Sequence, residues 1–370
     1  MVAPGEPALQ RLPRGEVKAW PVRVGSAAGI HARKGVWWSL QVLLTGGLYL
    51  PWAFTAARRA LWRHTRVAGL SMDDHQPAAA QLLHWLLMLG LAGGVALAWR
   101  SGPGLGLVAA SLAVLAWPVL VFLQARRRAH HLSWARRRMG FEGRCAQVYR
   151  EVWPLVAGAL VVMWGLAAAA RWGRPEGWCV WGLVSAGWAM ALPLAAWGWL
   201  DWRQRHLRLG PWSLWWSVPR EGLVSVFWRT VVWASLAGLF MAGLTTVVWS
   251  LLRWCQVPLG WWGHLALLAV PVYLVYVAAR AYVQARLQNL VWGKTGNRVV
   301  RLQSRLNVAD YVQQQCGHAV LMLCTLGLYW PWAQLATHRM RLQAVTVWSR
   351  VEADALRANW PVSATDVRSP

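Results

Sequence analysis

The chain has 370 residues, 57% of them hydrophobic, and a formal net charge of +25 at pH 7. Such a charge is typical of nucleic-acid-binding proteins, but the basic residues lie in short segments between apolar runs. Several of these runs approach the roughly 20 residues that cross a bilayer as a helix, so the pattern argues against a nucleic-acid binder and predicts an all-α polytopic membrane protein.

Residues 1–34 are predicted to form a polar cytoplasmic tail, because they contain several prolines and no early apolar run. The first apolar segment covers residues 35–52. Residues 53–77 form a basic connection, predicted as a surface helix that breaks near Gly69 and Pro77.

Three pairs of apolar segments follow, and each pair is joined by a tight turn. The segments are residues 78–99 and 104–123, residues 152–170 and 177–200, and residues 228–252 and 262–282. Their lengths predict three transmembrane hairpins. A last apolar segment covers residues 316–333, so the membrane domain is predicted to span residues 35–350, followed by a C-terminal tail, residues 351–370.

The distribution of arginine predicts the topology. Only four of the 38 basic residues belong to the three tight turns: Arg100, Arg171, Arg174 and Arg253. Basic residues mark the cytoplasmic side of a membrane protein, so we expect the long connections inside. Six full crossings, with segments 35–52 and 316–333 dipping in and returning, keep both termini cytoplasmic. Eight full crossings with both termini outside are the alternative.

A heptapeptide occurs twice. The copies are Gly47-Leu48-Tyr49-Leu50-Pro51-Trp52-Ala53 and Gly327-Leu328-Tyr329-Trp330-Pro331-Trp332-Ala333. The same offset of 280 residues pairs Thr45 with Thr325 and Arg59 with Arg339. Recurrence at a constant offset predicts the duplication of one structural unit. We expect the prolines to kink or end a helix and the aromatic rings to lie at headgroup depth.

Three short stretches of the connections lie in alternating apolar and polar sequence. They are residues 141–143, 215–217 and 302–304. This alternation predicts short strands, which would form a small cytoplasmic sheet or set of hairpins beneath the helices.

With these motifs, the chain resembles the YjgN-like family of bacterial inner-membrane proteins. The family pattern is Thr-Leu-Gly-Leu-Tyr-x-Pro-Trp-Ala, followed by basic residues and an Arg-Tyr pair. Residues 325–333 match it, and residues 45–53 match it except at Gly46. Ala60 and Met340 stand where the tyrosine of the pair is usual. The resemblance implies a location and an architecture but no activity, because the function of the family is unknown.

No pattern predicts an enzyme, a cofactor or a metal site. The 13 acidic residues show no pair spaced for acid–base chemistry, and the five cysteines show no metal-ligand spacing. The predicted crossing helices contain almost no ionisable residues, which transporters usually place inside the membrane.

The heptapeptides therefore supply the candidate site. Thr45 precedes Tyr49 by four residues, as Thr325 precedes Tyr329, and this spacing places each pair on one helix face. One hypothesis is that both segments line a common cavity; the alternative is that the motif only sets a kink and an interfacial anchor. The candidate residues are Thr45, Gly47, Tyr49, Pro51, Trp52, Arg59, Thr325, Gly327, Tyr329, Pro331, Trp332 and Arg339.

The densest arginine cluster is expected to fix topology and to attract anionic lipids. It consists of Arg126, Arg127, Arg128, Arg136, Arg137 and Arg138. The sequence thus favours an inner-membrane transporter or channel-like protein of unknown specificity, and the alternative is a non-catalytic scaffold or lipid-organising protein. A transporter needs a polar path through the helices, whereas a scaffold can be packed dry.

Overall fold

The computed structural model describes residues 16–25, 28–209, 212–258 and 260–358. The helices in these ranges are α1 Ala28–Leu44, α2 Leu50–Arg63, α3 Ala78–Ser101, α4 Pro103–His131, α5 Cys145–Trp172, α6 Pro175–Arg205, α7 Arg220–Trp254, α8 Trp261–Trp292, α9 Val308–Cys324, α10 Trp330–Gln343 and α11 Ala353–Ala358. The strands are β1 Lys18–Pro21, β2 Arg23–Val24, β3 Thr65–Val67, β4 Leu70–Asp74, β5 Leu132–Trp134, β6 Arg137–Arg138, β7 Gly140–Phe141, β8 Leu207–Leu209, β9 Trp212–Ser213, β10 Trp215–Trp216, β11 Thr295–Gly296, β12 Val300–Ser304 and β13 Val345–Ser349.

Six helices, α3 to α8, are long and apolar enough to cross a membrane. They contain 24 to 35 residues, or about 36 to 52 Å at 1.5 Å per residue. At most 17% of each apolar window is buried inside the protein, so these surfaces need lipid around them. The three predicted hairpins, and with them a helical polytopic membrane protein, are confirmed.

The strand before each helical hairpin pairs with the strand after it in antiparallel orientation. The pairs are β2 with β3 around α1 and α2, β4 with β5 around α3 and α4, β7 with β8 around α5 and α6, β10 with β11 around α7 and α8, and β12 with β13 around α9 and α10. The chain is thus five successive β-α-α-β units, called units 1 to 5. All five hairpins leave from the same side, called the strand side.

The five strand pairs join into a closed ring. Three sheets contribute to it, because β3 also pairs with β4, β5 with β6, β8 with β9, β11 with β12 and β1 with β13. The chain itself makes the other links, because β1 continues into β2 through Val22, β6 into β7 through Met139, and β9 into β10 through Leu214. The three sheets therefore meet at three corners, each occupied by an apolar residue. The strands at the edges of the three sheets contain only two to four residues, so they offer little edge for another chain to pair with.

The inside of this ring is apolar. Residues alternate between buried and more accessible along β12 and β13, as expected when one strand face covers a core. The shared core includes Val22, Met72, Trp134, Trp212, Val300, Leu302, Val345 and Val347. Side chains from all the sheets thus form an apolar base beneath the helices.

The heptapeptide prolines were expected to kink or end a helix, but each of them begins one. Pro51 and Pro331 lie in the first turn of α2 and α10, where proline is favoured because its missing N–H has no helical acceptor in any case. The predicted apolar segments 35–52 and 316–333 are each divided by a five-residue turn. Each belongs to a short hairpin that returns to the strand side, and six of the described helices are long and apolar enough to cross a membrane, as in the six-crossing topology.

The connections also hold more strand than expected. The three predicted strands appear as β7, β10 and β12. Residues 53–77, predicted as a surface helix, instead contain the rest of α2 followed by β3 and β4. The predicted tail 1–34 contributes β1, β2 and the start of α1, while its first 15 residues lie outside the described ranges, as do residues 359–370 of the C-terminal tail.

A close helix contact joins unit 1 to unit 5. Gly35 of α1 lies against Pro331 of α10, and a Cβ atom at Gly35 would come within 2.3 Å of the Pro331 Cβ. We expect Gly35→Ala to lower the free energy of unfolding by about 1–3 kcal/mol, because neither the Pro331 ring nor the backbone of α1 or α10 can move away easily. Thermal unfolding in detergent measures the loss.

The matched control is Gly317→Ala, because no atom lies within 4 Å of a Cβ built there. It should leave the Tm unchanged or slightly raised, since alanine favours a helix over glycine. Equal Tm values for the two variants would contradict the close contact.

Candidate functional site

The two heptapeptides form the same turn. The Thr45 Oγ1 donates to the Gln41 carbonyl at 2.7 Å and accepts the Tyr49 N–H at 3.1 Å. Thr325 makes the corresponding two bonds at 2.7 and 3.2 Å. Each threonine therefore ties the end of one helix to the start of the next, which explains why both copies keep it.

The remaining motif residues support the same turn. Gly47 and Gly327 have φ angles of +94° and +88°, a conformation that costs glycine little. Tyr49 stacks on Trp52 with ring centroids 6.1 Å apart, and Tyr329 and Trp332 repeat this stack at 6.2 Å. The duplication predicted from sequence is thus repeated in backbone and side-chain geometry.

The paired arginines differ in their contacts. Arg59 donates to the carbonyls of Asp74 and Gln76 at 3.2 and 3.3 Å, which ties α2 to the end of β4. The Nε of Arg339 is buried and finds no acceptor among the described residues. Arg59 therefore has a structural role that its counterpart does not share.

We expect Thr45→Val and Thr325→Val each to lower the free energy of unfolding by about 1 kcal/mol or more. Valine keeps the shape of threonine but leaves the Tyr49 or Tyr329 N–H without its acceptor. Thr246→Val is the control, because its hydroxyl donates only to the Ala242 carbonyl of its own helix. In thermal unfolding, the first two variants should have a lower Tm than the third. Thr45→Ser should keep the Tm of the unmodified protein, because serine retains the hydroxyl. Equal stability of all four variants would refute the role of the hydroxyl.

A cavity of about 1070 Å³ lies between the helices and the ring of strands. Its walls are the second helices of all five units, α2, α4, α6, α8 and α10, together with part of α9. Its base includes the three corner residues Val22, Met139 and Leu214. The closed ring thus places one helix of every unit on the inside.

Each of these five second helices contributes one arginine to the cavity. The five are Arg58, Arg128, Arg203, Arg280 and Arg341. Among the described residues, Asp74 is the carboxylate that forms a salt bridge with one of these arginines. Its Oδ2 lies 2.5 Å from the Arg58 Nε. No described aspartate or glutamate lines the cavity. The cavity therefore has a strong excess of positive charge.

On the side formed by α8, α9 and α10, amides bind most of the polar groups. The Gln288 Oε1 accepts from the Arg341 Nε at 2.7 Å, and the Gln288 Nε2 donates to the Arg341 carbonyl at 2.7 Å. The Gln315 Nε2 donates to the Thr337 Oγ1 at 2.7 Å. These contacts fix the side chains on this side.

The side formed by α2, α4 and α6 is more cationic. Arg128 interacts electrostatically with both Arg58 and Arg203. Next to Arg203, Gln204 is 3% exposed, and its Oε1 has no partner in the described part of the chain. Three guanidinium groups and an amide thus face one space, and the Asp74 carboxylate that pairs with Arg58 does not line it.

His338 is held neutral beside this charge. Burial, and then the adjacent Arg341, lowers the pKa of His338 to about 4. The side chain is therefore uncharged at neutral pH, and the arginines alone set the positive potential of the cavity.

The arginine cluster predicted as one lipid-attracting patch divides into separate environments. Arg126 is exposed, Arg127 donates to the Ala80 carbonyl at 3.5 Å, and Arg128 faces the cavity. Arg136 lies in the turn before β6 with a φ of +64°, and Arg137 and Arg138 form β6. Attraction of anionic lipid by this cluster stays a prediction.

Sequence reasoning missed most of the cavity, because the ends of α4, α6 and α8 were assigned to connections. The helices continue to His131, Arg205 and Trp292. A helical signal is present in the sequence: Gln124 and Arg128 are four residues apart, as are Arg280, Gln284 and Gln288, a spacing that places side chains on one helix face.

The heptapeptide residues Thr45, Tyr49, Thr325 and Tyr329 lie at the turns and not among the side chains that line the cavity. Their neighbours Phe54 and Trp330 do line it, with ring centroids 5.0 Å apart. The pore-lining hypothesis for the first four residues stays a prediction. In the described ranges, no group of three His, Cys, Asp or Glu residues is arranged to hold a metal ion.

These features define a helical membrane protein in which five hairpin units surround a basic cavity above a closed ring of strands. A family model described as "Bacterial protein of unknown function (DUF898)" matches residues 38–365, and the chain belongs to that family. This confirms the YjgN-like resemblance. Searches of curated proteins and of solved structures found no match.

Proposed function

We propose that the protein is a transport or channel-like protein of the bacterial inner membrane, and that its solute occupies the central cavity. The observation that carries this proposal is the cavity itself, which receives a polar side chain from every unit. Its volume of about 1070 Å³ is just above the roughly 300–1,000 Å³ typical of ligand sites. A scaffold packed only for stability has no need of such a space.

The cost of the lining residues supports a functional role. Arginines and glutamines that face the inside of a helical membrane domain are expensive to desolvate, and such residues usually mark a solute pathway. Here the charge faces inward on five different helices, while the outer surfaces of α3 to α8 expose leucine, valine and tryptophan. A solute would therefore find polar groups only inside the bundle.

The orientation follows from the basic residues. The strand side carries nearly all of the arginines, so we place it in the cytoplasm. The cavity then lies in the cytoplasmic half of the bundle, between the ring of strands and the middle of the membrane. A solute from the cytoplasm would enter it past the strand side.

A lipid-organising scaffold is the second candidate. The tips of the two short hairpins expose leucines strongly: Leu44 is 77% exposed, Leu48 70% and Leu326 84%. Tips of this kind insert into the acyl region without crossing it. This role requires no path through the bundle, and access to the cavity from both membrane faces distinguishes the two functions.

Cysteine labelling in sealed vesicles tests the proposal. In a chain with its five native cysteines replaced, Val277→Cys places a thiol in the cavity, and Tyr276→Cys places one on the exposed surface of the same helix at almost the same depth. The reagent is the small impermeant anion 2-sulfonatoethyl methanethiosulfonate. We expect Val277→Cys to react from either face of the membrane and Tyr276→Cys to react from neither, because lipid covers it.

Labelling of Val277→Cys from one face only would show a chamber without a second exit and would overturn transport in favour of the scaffold. Absence of labelling from both faces would show a dry cavity and would lead to the same conclusion. Circular dichroism of each variant checks that the helices are retained.

A further inference from the structure

Four of the five cavity arginines have no carboxylate partner among the described residues. A guanidinium group stays protonated in any protein environment. Arg58, Arg203 and Arg341 are half-buried, whereas Arg128 and Arg280 are exposed, and like charges that face one concave space repel one another. Asp74 compensates Arg58, but no described carboxylate forms a salt bridge with Arg128, Arg203, Arg280 or Arg341. The cavity is therefore suited to hold an anion.

The arrangement of the donors favours a phosphate-type anion. A guanidinium offers a planar fork that binds two phosphate oxygens at once. Arg58, Arg128 and Arg203 project from three different helices into one space, so they can approach an anion from different directions. The Oε1 of Gln204, buried beside Arg203 without a partner in the described part of the chain, adds an acceptor for a hydroxyl group of the ligand.

One helical turn nearer the hairpin tip than Arg58, the wall of the cavity is apolar. Phe54 and Trp330 line it, and Trp330 is the first residue of α10 after the tip of the unit 5 hairpin. At 1.5 Å per residue, the 17 residues of α1 extend about 25 Å, against about 36 Å for the 24 residues of α3. The ring of helices is therefore lowest at units 1 and 5, and the tip of the unit 5 hairpin carries exposed Leu326.

We propose that the cavity binds a phosphate-type anion through Arg58, Arg128 and Arg203, and that the ligand is an amphiphile whose apolar chain leaves past Phe54 and Trp330 into the membrane. The inference rests on the proposed function, since it names the substrate class of the same cavity. The anionic group and the apolar chain each match one part of the space.

Binding to the purified full-length protein in detergent tests the proposal with three probes. These are inorganic phosphate, dioctanoyl phosphatidate and dioctanoyl glycerol, and the last has the same chains without the phosphate. We expect phosphatidate to bind at least about tenfold more tightly than either of the others, by isothermal titration calorimetry. Equal affinities for phosphatidate and inorganic phosphate would identify soluble phosphate as the ligand and overturn the amphiphile. Equal affinities for phosphatidate and the glycerol would overturn the anion site.

Matched variants on one helix assign the binding to the cavity. Arg128→Gln should weaken phosphatidate binding by about tenfold or more, the loss expected for one hydrogen bond between charged groups. Arg126→Gln removes the same charge two residues away on α4, at an exposed position that does not line the cavity, and should change binding less than about twofold. Equal losses in the two variants would mean that headgroups bind the outer surface and would overturn the site.

Two further measurements keep the test decisive if Arg128→Gln does not fold. Arg203→Lys keeps the charge but loses the two-pronged geometry, so it should weaken binding severalfold. In the unmodified protein, rising sodium chloride should lower phosphatidate affinity, and insensitivity to salt would overturn an arginine site.

Binding and two-sided labelling are separate readouts. Phosphatidate binding to a cavity that labels from one face only supports this site without transport. Two-sided labelling without phosphatidate binding supports transport of another solute.

Discussion

The pairing of strands at the base of each helical hairpin determines the architecture. A short strand has little stability alone, and an unpaired edge is open to wrong partners. Here the strands before and after each hairpin pair with each other, and the pairs join in a ring that β1 completes by pairing with β13. Because the ring is closed, one helix of every unit must face the centre. The cavity and its five arginines follow from this geometry.

Charge is distributed unevenly around that centre. Near α8 and α10, Gln288 binds both the side chain and the carbonyl of Arg341, while the buried His338 Nε2 has no partner in the described part of the chain. Near α2, α4 and α6, the buried carboxylate of Asp74 forms a salt bridge with Arg58 and lies near Arg128. Like charges in a partly desolvated space repel, and a bound anion would relieve that repulsion. The asymmetry is a reason to expect the ligand on the second side.

The sequence predicts those parts of the fold that depend on local composition. Apolar runs long enough to cross a bilayer identify α3 to α8, and the constant spacing of Thr45 and Thr325 identifies the duplicated turn. Alternation was sufficient to predict β7, β10 and β12. Each of these signals lies within one short stretch of chain, where helix and strand periodicities can be read directly.

Features that depend on distant parts of the chain were not predicted. Pairing of β1 with β13 joins residues more than 300 positions apart, and no local pattern encodes it. The ends of α4 and α6 are polar because they face a cavity, so hydropathy places Arg128 and Arg203 in connections. Pro51 marks a helix start rather than an end because a tight turn precedes it, and the conformation of that turn depends on Gly47 and the Thr45 hydroxyl.

The central claim is that the strands close into a ring, and a cross-link between its first and last members tests this most directly. Ala19 and Trp348 are register partners in β1 and β13, and both are exposed. In a chain without native cysteines, Ala19→Cys with Trp348→Cys should form a disulfide or react with a short thiol cross-linker, as opposed residues of antiparallel strands are about 4.5–5.5 Å apart. The control pair, Ala19→Cys with Ser71→Cys, places the second thiol in another sheet and should stay unlinked. Equal cross-linking of the two pairs, or none in the first, would contradict the closed ring.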